Sequence, residues 1–313
     1  MNEGGGTRML EVHNLKIRFH HTDRSMQRSH TETIHSLSLS INAGEIVAVV
    51  GASGSGKSLL AHAILGILPA NAEVSGEIHF QGQALTSERQ KRIRGKDIAL
   101  IPQSVAFLDP LMHVGTQVRQ AARQGDPTDL QEKAFQKYKL ASAVAKWFPF
   151  QLSGGMARKV LVSTATVSGA KLFIADEPTP GLDASAMTET LERFRELADG
   201  GGAVMLITHD IEAALTIADR ISVLHAGTLV ETAPRKDFDG DGEGLRHPYT
   251  QALLRALPSR QFTATPSTQL RGSRDRSGCA YATSCILATE TCREEVPPWR
   301  QIRDGEARCF HAT

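Results

Sequence analysis

No charge of one sign dominates this chain: 35 Lys+Arg stand against 34 Asp+Glu, a formal net charge of +1. That balance leaves no global field to attract a nucleic acid or an anionic membrane surface, so partners must be chosen locally. Long hydrophobic runs are also missing. IVAVVGA and LLAHAILGILPA fall well short of the roughly 20 apolar residues a membrane-crossing helix needs, and the second carries a histidine. The start, MNEGGGTRML, has no charged leader before an apolar run, so residues 1–8 read as a flexible beginning and not as a signal peptide. Internal repeats, heptad arrays and basic stripes are absent, which excludes solenoids and counts against a nucleic-acid-associated ATPase. Cysteine does not occur before residue 279.

What is present suits one large domain with an appendage: 313 residues, of which 41% are apolar and 22% charged. LEVHNLKIRF, ending in Phe19, and TIHSLSLSI alternate as strands do, and the polar HHTDRSMQRSHTE between them reads as an exposed hairpin loop. EIVAVVG, DIALIPQ, KLFIAD, AVMLITHD and RISVLHAG are short continuous apolar runs, as buried parallel strands are. Met187, Leu191, Phe194 and Ala198 fall at helical spacing before a glycine, giving a helix with one packing face. LMHVGTQVRQAARQ and LQEKAFQKYKLASAVAKWF read as helices with no strand between them, so a helical insertion is expected over about 104–165. The fold class is α/β, with a core over 9–236, a connector over 237–260 and a cysteine-rich extension over 261–313.

GASGSGKS, comprising Gly51, Ala52, Ser53, Gly54, Ser55, Gly56, Lys57 and Ser58, fits G-x-x-x-x-G-K-[ST] between an expected buried strand and a helix. Its glycines let backbone N–H groups turn toward phosphate oxygens at a helix N-terminus, where the helix dipole favours negative charge. Lys57 is expected to reach the outer phosphates and Ser58 to ligate Mg²⁺. LFIADE ends a strand in two carboxylates, where open α/β sheets bind ligands. Asp176 suits Mg²⁺, and Glu177 suits the activation of a water. His209, ending LITHD, is placed for the terminal phosphate; Gln103, ending IALIPQ, is placed for Mg²⁺ and the attacking water.

GASGSGKS, Gln103, LSGGM, LFIADEPTPGLD and His209 occur in the order of an ATP-binding-cassette nucleotide-binding domain, and the chain resembles that family over about residues 9–260. The resemblance implies a P-loop cassette core with an antiparallel β subdomain and an inserted helical subdomain, binding ATP with Mg²⁺. It implies head-to-tail pairing with a second cassette subunit, different or identical, so that Ser153, Gly154, Gly155 and Asp183 face the ATP held by the partner's loop. It also implies that Phe19 stacks on adenine. Met156, the ARK that follows it, and Pro180 with Gly181 depart from the commoner residues, which puts the cross-interface geometry in question. LSGGM, HPYTQALLRALP and the terminal cysteines bring the chain nearest to ATPase subunits of importers for peptides, nickel and metal chelates. Two transmembrane permease subunits, a periplasmic or extracellular solute-binding protein and a peripheral place on the cytoplasmic face of the membrane follow from that resemblance. The alternative is a soluble cassette ATPase scaffold, such as one assisting phosphonate degradation.

Cys279, Cys285, Cys292 and Cys309 cluster in the tail without a Cys-x-x-Cys pair. Four thiolates suit an iron–sulfur cluster or zinc, with free thiols as a third reading; similar tails in some peptide-importer ATPases bind a [4Fe–4S] cluster, which the resemblance favours over zinc. Asp237, Asp239, Asp241 and Gly242 imitate the opening of a calcium loop, but Pro248 replaces its closing carboxylate, so a solvated acidic turn is expected.

Overall fold

The computed structural model describes residues 7–22, 28–260 and 278–313. Residues 1–6 of the expected flexible start lie outside the described ones, and Arg8 already pairs with Asn42. β1 (Arg8–Thr22) and β2 (Arg28–Asn42) form a long antiparallel ribbon whose register runs to Thr22↔Arg28. The expected loop therefore lies largely in strand, apart from residues 23–27, which are outside the described set. That part of the ribbon carries polar residues throughout and gives no alternation to read. Ladder bonds hold it, helped by Arg18 Nε to Glu32 Oε2 at 2.7 Å and His20 Nε2 to Glu73 Oε2 at 3.0 Å.

β3 (Ile46–Val50) is buried on both faces and leads through the glycine loop into α1 (Lys57–Leu65). β4 (Ala72–Phe80) pairs with the free edge of β1, and β5 (Gln83–Ala84) closes a four-stranded antiparallel sheet ordered β2-β1-β4-β5. After α2 (Ser87–Ile93) comes β6 (Ile98–Ile101), and then the helical region of α3 (Val114–Ala121), α4 (Pro127–Lys137) and α5 (Gly154–Val167). These three helices share a separate small core of Val114, Val118, Phe135 and Val160. The second expected helix is shorter than its sequence run. Leu140 N–H donates to Phe135 O at 2.8 Å while Lys139 takes φ +53°, a left-handed stop that satisfies the last carbonyls.

β7 (Leu172–Asp176), α6 (Ala184–Asp199), β8 (Ala203–Thr208), α7 (Ile211–Ile217), β9 (Arg220–His225) and β10 (Thr228–Pro234) complete the centre of the second sheet. Strands β6, β7, β8, β3 and β9 are parallel neighbours in that order. Because strand side chains alternate, Ile46, Ala48 and Val50 enter one core with Phe173 and Phe194, while Val47 and Val49 enter another with Leu60, Ile64 and the β1–β2 ribbon.

Of the segments expected as connector and appendage, 237–260 and 278–313 pack on or extend this sheet, and 261–277 lie outside the described residues. Past β10, α8 (Pro248–Arg255) sends Tyr249 and Leu254 into the main core. Asp237 is not the solvated turn residue expected: with Glu231 it receives the buried Arg246 guanidinium, at 2.7 Å and 3.4 Å respectively. Glu231 also accepts from the Arg246 and His247 backbone N–H groups at 2.8 and 3.0 Å. The tail contributes α9 (Glu290–Glu294), β11 (Arg300–Ile302) and β12 (Gly305–Ala307). β12 pairs with β10 through Glu231↔Ala307, so the eight-stranded order is β11-β12-β10-β9-β3-β8-β7-β6. Among the described residues no helix is long and apolar enough to cross a membrane.

Candidate functional site

The glycine loop bridges the C-terminal end of β3 and the N-terminus of α1, where unpaired N–H groups collect. A Cβ at Gly51 would stand 2.1 Å from Leu224 O, and Gly56 takes φ +105° as the helix cap, so neither position admits a side chain without a shift of backbone. Lys57 lies along the loop, its ammonium donating to Gly51 O at 2.8 Å and Ala52 O at 3.1 Å. Burial lowers its pKa, and the Glu177 and Asp176 carboxylates oppose that. Ser58 Oγ donates to Asp176 Oδ1 at 3.1 Å, and burial raises the Asp176 pKa. A hydroxyl and one carboxylate, both oxygen donors, suit Mg²⁺, which takes few protein ligands and fills its shell from phosphate and water.

At the next position along β7, Glu177 adopts φ +48°, uncommon for a non-glycine residue, with its N–H donating to Ile207 O at 2.8 Å. Both carboxylate oxygens lie 2.9 Å from His209 Nδ1. Ser53, Gly54, Gly56, Lys57, Ser58, Gln103, Glu177 and His209 line one cleft of about 420 Å³, at the carboxyl ends of the parallel strands.

Arg158, on α5, is a site residue that sequence reading missed. Nearly buried, its guanidinium donates to Glu177 O at 2.6 Å and Gln103 O at 3.2 Å, fastening the backbones of these two cleft residues to each other. Burial lowers its pKa. Its only sequence signal was its place in the ARK departure beside the glycines, which carries no hint of these acceptors.

The remaining site residues stand elsewhere. Phe19 is half-buried against the core of the β ribbon and does not line the cleft. Ser53 and Gly54 line it, whereas Gly51 and Ser55 are buried and Ala52 is exposed, none of the three lining the cleft. Ser153 caps α5, its hydroxyl accepting from Met156 N–H at 3.3 Å, and Asp183 caps α6, accepting from Ala186 N–H at 2.9 Å. Ser153, Gly154 and Asp183 are exposed. Intrachain packing does not demand the glycines: a Cβ at Gly154 would meet nothing within 4 Å, and one at Gly155 only Leu182 at 3.8 Å.

The four cysteines are unpaired; Cys292 and Cys309 are buried, and Cys279 and Cys285 partly so. Burial raises the pKa of Cys279, with the other three sulfurs near enough to add to it; the same cause acts on Cys309. Among the described residues, however, no three His, Cys, Asp or Glu side chains stand ready around a single metal ion.

A glycine loop capping a helix, with a Ser–Asp pair and a strand-end glutamate beside it, defines a P-loop nucleotide hydrolase. The ABC transporter family profile matches residues 34–180, and the profile of the oligopeptide/dipeptide transporter C-terminal region matches residues 230–292. Over 97% of this chain and 96% of the relative, the sequence is 34% identical to the dipeptide transport ATP-binding protein DppD of Escherichia coli (strain K12). Identity is 31% with the oligopeptide transport ATP-binding protein OppD of Bacillus subtilis (strain 168), over 95% of this chain and 87% of that one. A solved dimeric bacterial ABC transporter cassette shares the fold, with a TM-score of 0.63 at 23% identity, covering 72% of this chain and 99% of the other. The chain belongs to the ABC transporter ATP-binding family and is an ABC-type ATPase.

Proposed function

We propose that this chain is the ATP-hydrolysing subunit of a membrane importer, on the cytoplasmic face, for peptides, nickel or metal–metallophore complexes. The cleft carries the reading: one phosphate loop, one Ser–Asp pair and one Glu–His pair face a common space. ATP lies with its phosphates over Gly51–Ser58, and Lys57 turns from the loop carbonyls to the outer phosphates. Ser58, Gln103 and Asp176 would hold Mg²⁺, which neutralises charge on the phosphates when bound. Glu177 takes the proton of the attacking water, His209 orients Glu177 and contacts the terminal phosphate, and Gln103 aligns the water for in-line attack.

Ser153 and Gly154, exposed at a helix N-terminus where packing within the chain does not require the glycine, support a head-to-tail pair in which they and Gly155 donate to the partner's ATP. Asp183 crosses the same interface. The partner is a second cassette subunit, and a different chain or an identical one would serve the geometry. The exposed Phe107, Leu111 and Phe150, on the helical region after Gln103, offer an apolar surface to two permease subunits. A solute-binding protein outside the membrane would deliver cargo to them. The relatives' names, dipeptide and oligopeptide transport, favour peptides as that cargo and give the soluble-scaffold alternative no support.

The four tail cysteines are offered as ligands of a [4Fe–4S] cluster, with zinc as the alternative, although among the described residues no three His, Cys, Asp or Glu side chains stand around one metal ion. Iron, sulfide and zinc measured on one anaerobically purified sample decide between them. Co-purification tests the transport reading: recovery with transmembrane subunits supports it, and an active, purely soluble assembly overturns it. Ser153→Ala tests the composite site. ATP hydrolysis should fall by about 10-fold or more, as for other lost transition-state donors, while ATP binding to the isolated monomer stays unchanged.

A further inference from the structure

A cavity of about 190 Å³ lies where the β ribbon, β10 and the tail meet, far larger than the roughly 10–15 Å³ that a single water needs. Lys16 and Glu32 from the ribbon, Val230 from β10, and Cys279 and Arg308 from the tail line it. Arg308 is fixed by its surroundings: its backbone N–H donates to Val230 O at 2.9 Å, and its two terminal guanidinium nitrogens donate to Pro297 O at 3.3 Å and Ser36 O at 3.2 Å. Its Nε–H is buried and has no acceptor. Carbonyl oxygens satisfy hydrogens but do not neutralise charge, and among the described residues no carboxylate pairs with this guanidinium. Burial lowers its pKa with no acid near enough to oppose the shift. The Lys16 ammonium likewise has no partner among the described residues. Glu32, the carboxylate that shares the cavity, is engaged elsewhere: it accepts from Arg18 Nε at 2.7 Å and lies 3.0 Å from His35 Nδ1. Two cations therefore line one space with an unmet N–H and no counter-charge, an arrangement that costs free energy until an anion supplies both.

We infer that this cavity is a binding site for a small oxyanion, a phosphate or carboxylate group, held between the Arg308 Nε–H and the Lys16 ammonium. Guanidinium and ammonium both give charge-assisted hydrogen bonds to such groups, and the pair supplies one fixed donor and one adjustable one. The site shares no lining residue with the ATP cleft. Because Lys16 belongs to the ribbon and Arg308 to the tail, a bound anion ties the two together, beside the existing Arg308–Ser36 contact. The inference goes beyond the ATPase assignment and is independent of which metal, if any, the thiols hold.

The test uses the full-length chain with its ATP cleft filled by Mg–ADP, so that the glycine loop adds no signal of its own. Inorganic phosphate and acetate are titrated separately at constant ionic strength, with chloride as the control, and followed by calorimetry. One anion should bind per chain; tighter binding of phosphate marks a phosphate site and tighter binding of acetate a carboxylate site. Lys16→Met should weaken binding by about tenfold or more, and Lys16→Arg, which keeps the charge, should stay within about threefold of the unmodified chain. Since the Lys16 ammonium holds nothing in the fold, the melting temperature without added anion should be the same in all three. The bound anion should also slow amide exchange at residues 32–36 and 296–309, and Lys16→Met should remove that protection. Binding of neither anion beyond chloride, or binding of equal strength in Lys16→Met, would overturn the proposal. Failure of the ATPase assignment looks different: the unmodified chain would then take up no ADP.

Discussion

The phosphate loop and the cysteine segment sit on the same sheet but are fixed by opposite means. Residues adjacent in sequence shape the loop: Gly56 caps the helix that Lys57 begins, and the Lys57 ammonium returns to Gly51 and Ala52. The cysteine segment is shaped by residues far away in sequence. Ala307 pairs with Glu231, Arg308 N–H donates to Val230 O at 2.9 Å, and the Arg308 guanidinium reaches Ser36 O on the β ribbon. A local motif survives in almost any context that supplies a strand and a helix, whereas a segment held at a distance is only as stable as its partners. Changes at the loop should therefore alter chemistry with little effect on folding, and changes behind the tail should alter folding first.

Glu177→Gln is the sharpest challenge to that contrast. Removing the base should lower kcat by about 10²–10⁴-fold while the melting temperature and ATP binding hold, measured by steady-state hydrolysis and thermal denaturation. A comparable loss of stability would show that the site is not separable from the fold. On the other side, Arg246→Leu leaves Glu231 and Asp237 without their cation in a buried setting and should destabilise the chain by about 3–5 kcal/mol in denaturant unfolding. An effect near zero would mean that the tail's foundation lies elsewhere.

His247 sharpens the comparison through pH. Burial, with His225 nearby, lowers its pKa from 6.5 to about 3. Between those values the unfolded chain binds a proton that the folded chain refuses. The stability is thus complete above pH 6.5 and is lost as pH falls, by about 1.4 kcal/mol per unit. His247→Asn, which keeps an acceptor for the Tyr249 N–H, should flatten this part of the unfolding profile. An identical slope in the variant would remove His247 from the account. The smallest expected effect is at Arg158→Lys: a lysine cannot span the Glu177 and Gln103 carbonyls with one fork, so kcat should drop by about tenfold with KM little changed. A drop confined to KM would move Arg158 from aligning the attack to binding nucleotide.

Much of the site was legible because its chemistry is written in short runs. GASGSGKS, LFIADE and LITHD each end or follow a buried strand, and the sheet then brings three strand ends to one cleft. The parallel strands were equally plain, since β3, β7 and β8 are buried on both faces and read as unbroken apolar runs. Arg158 was not legible, because its acceptors are backbone carbonyls 19 and 55 residues away and carry no side-chain signature. Nor was the Asp237–Arg246–Glu231 cluster, where polar residues in a stretch that looked solvated turn inward together. The β1–β2 ribbon was cut short for the same reason in reverse: its far end is polar on both faces, and only the ladder reveals it as strand.

The sequence by itself determined which residues build the glycine loop at the strand-end cleft, because a loop of that shape needs glycines and a lysine at set spacing whatever surrounds it. It also determined the layered α/β core, through unbroken apolar strands between amphipathic helices. Only the tertiary structure decided that the tail extends the main sheet and that Tyr249 and Tyr281 pack with His225 in the core. Those outcomes depend on edge pairing and ring packing between distant segments, interactions whose partners no local pattern names.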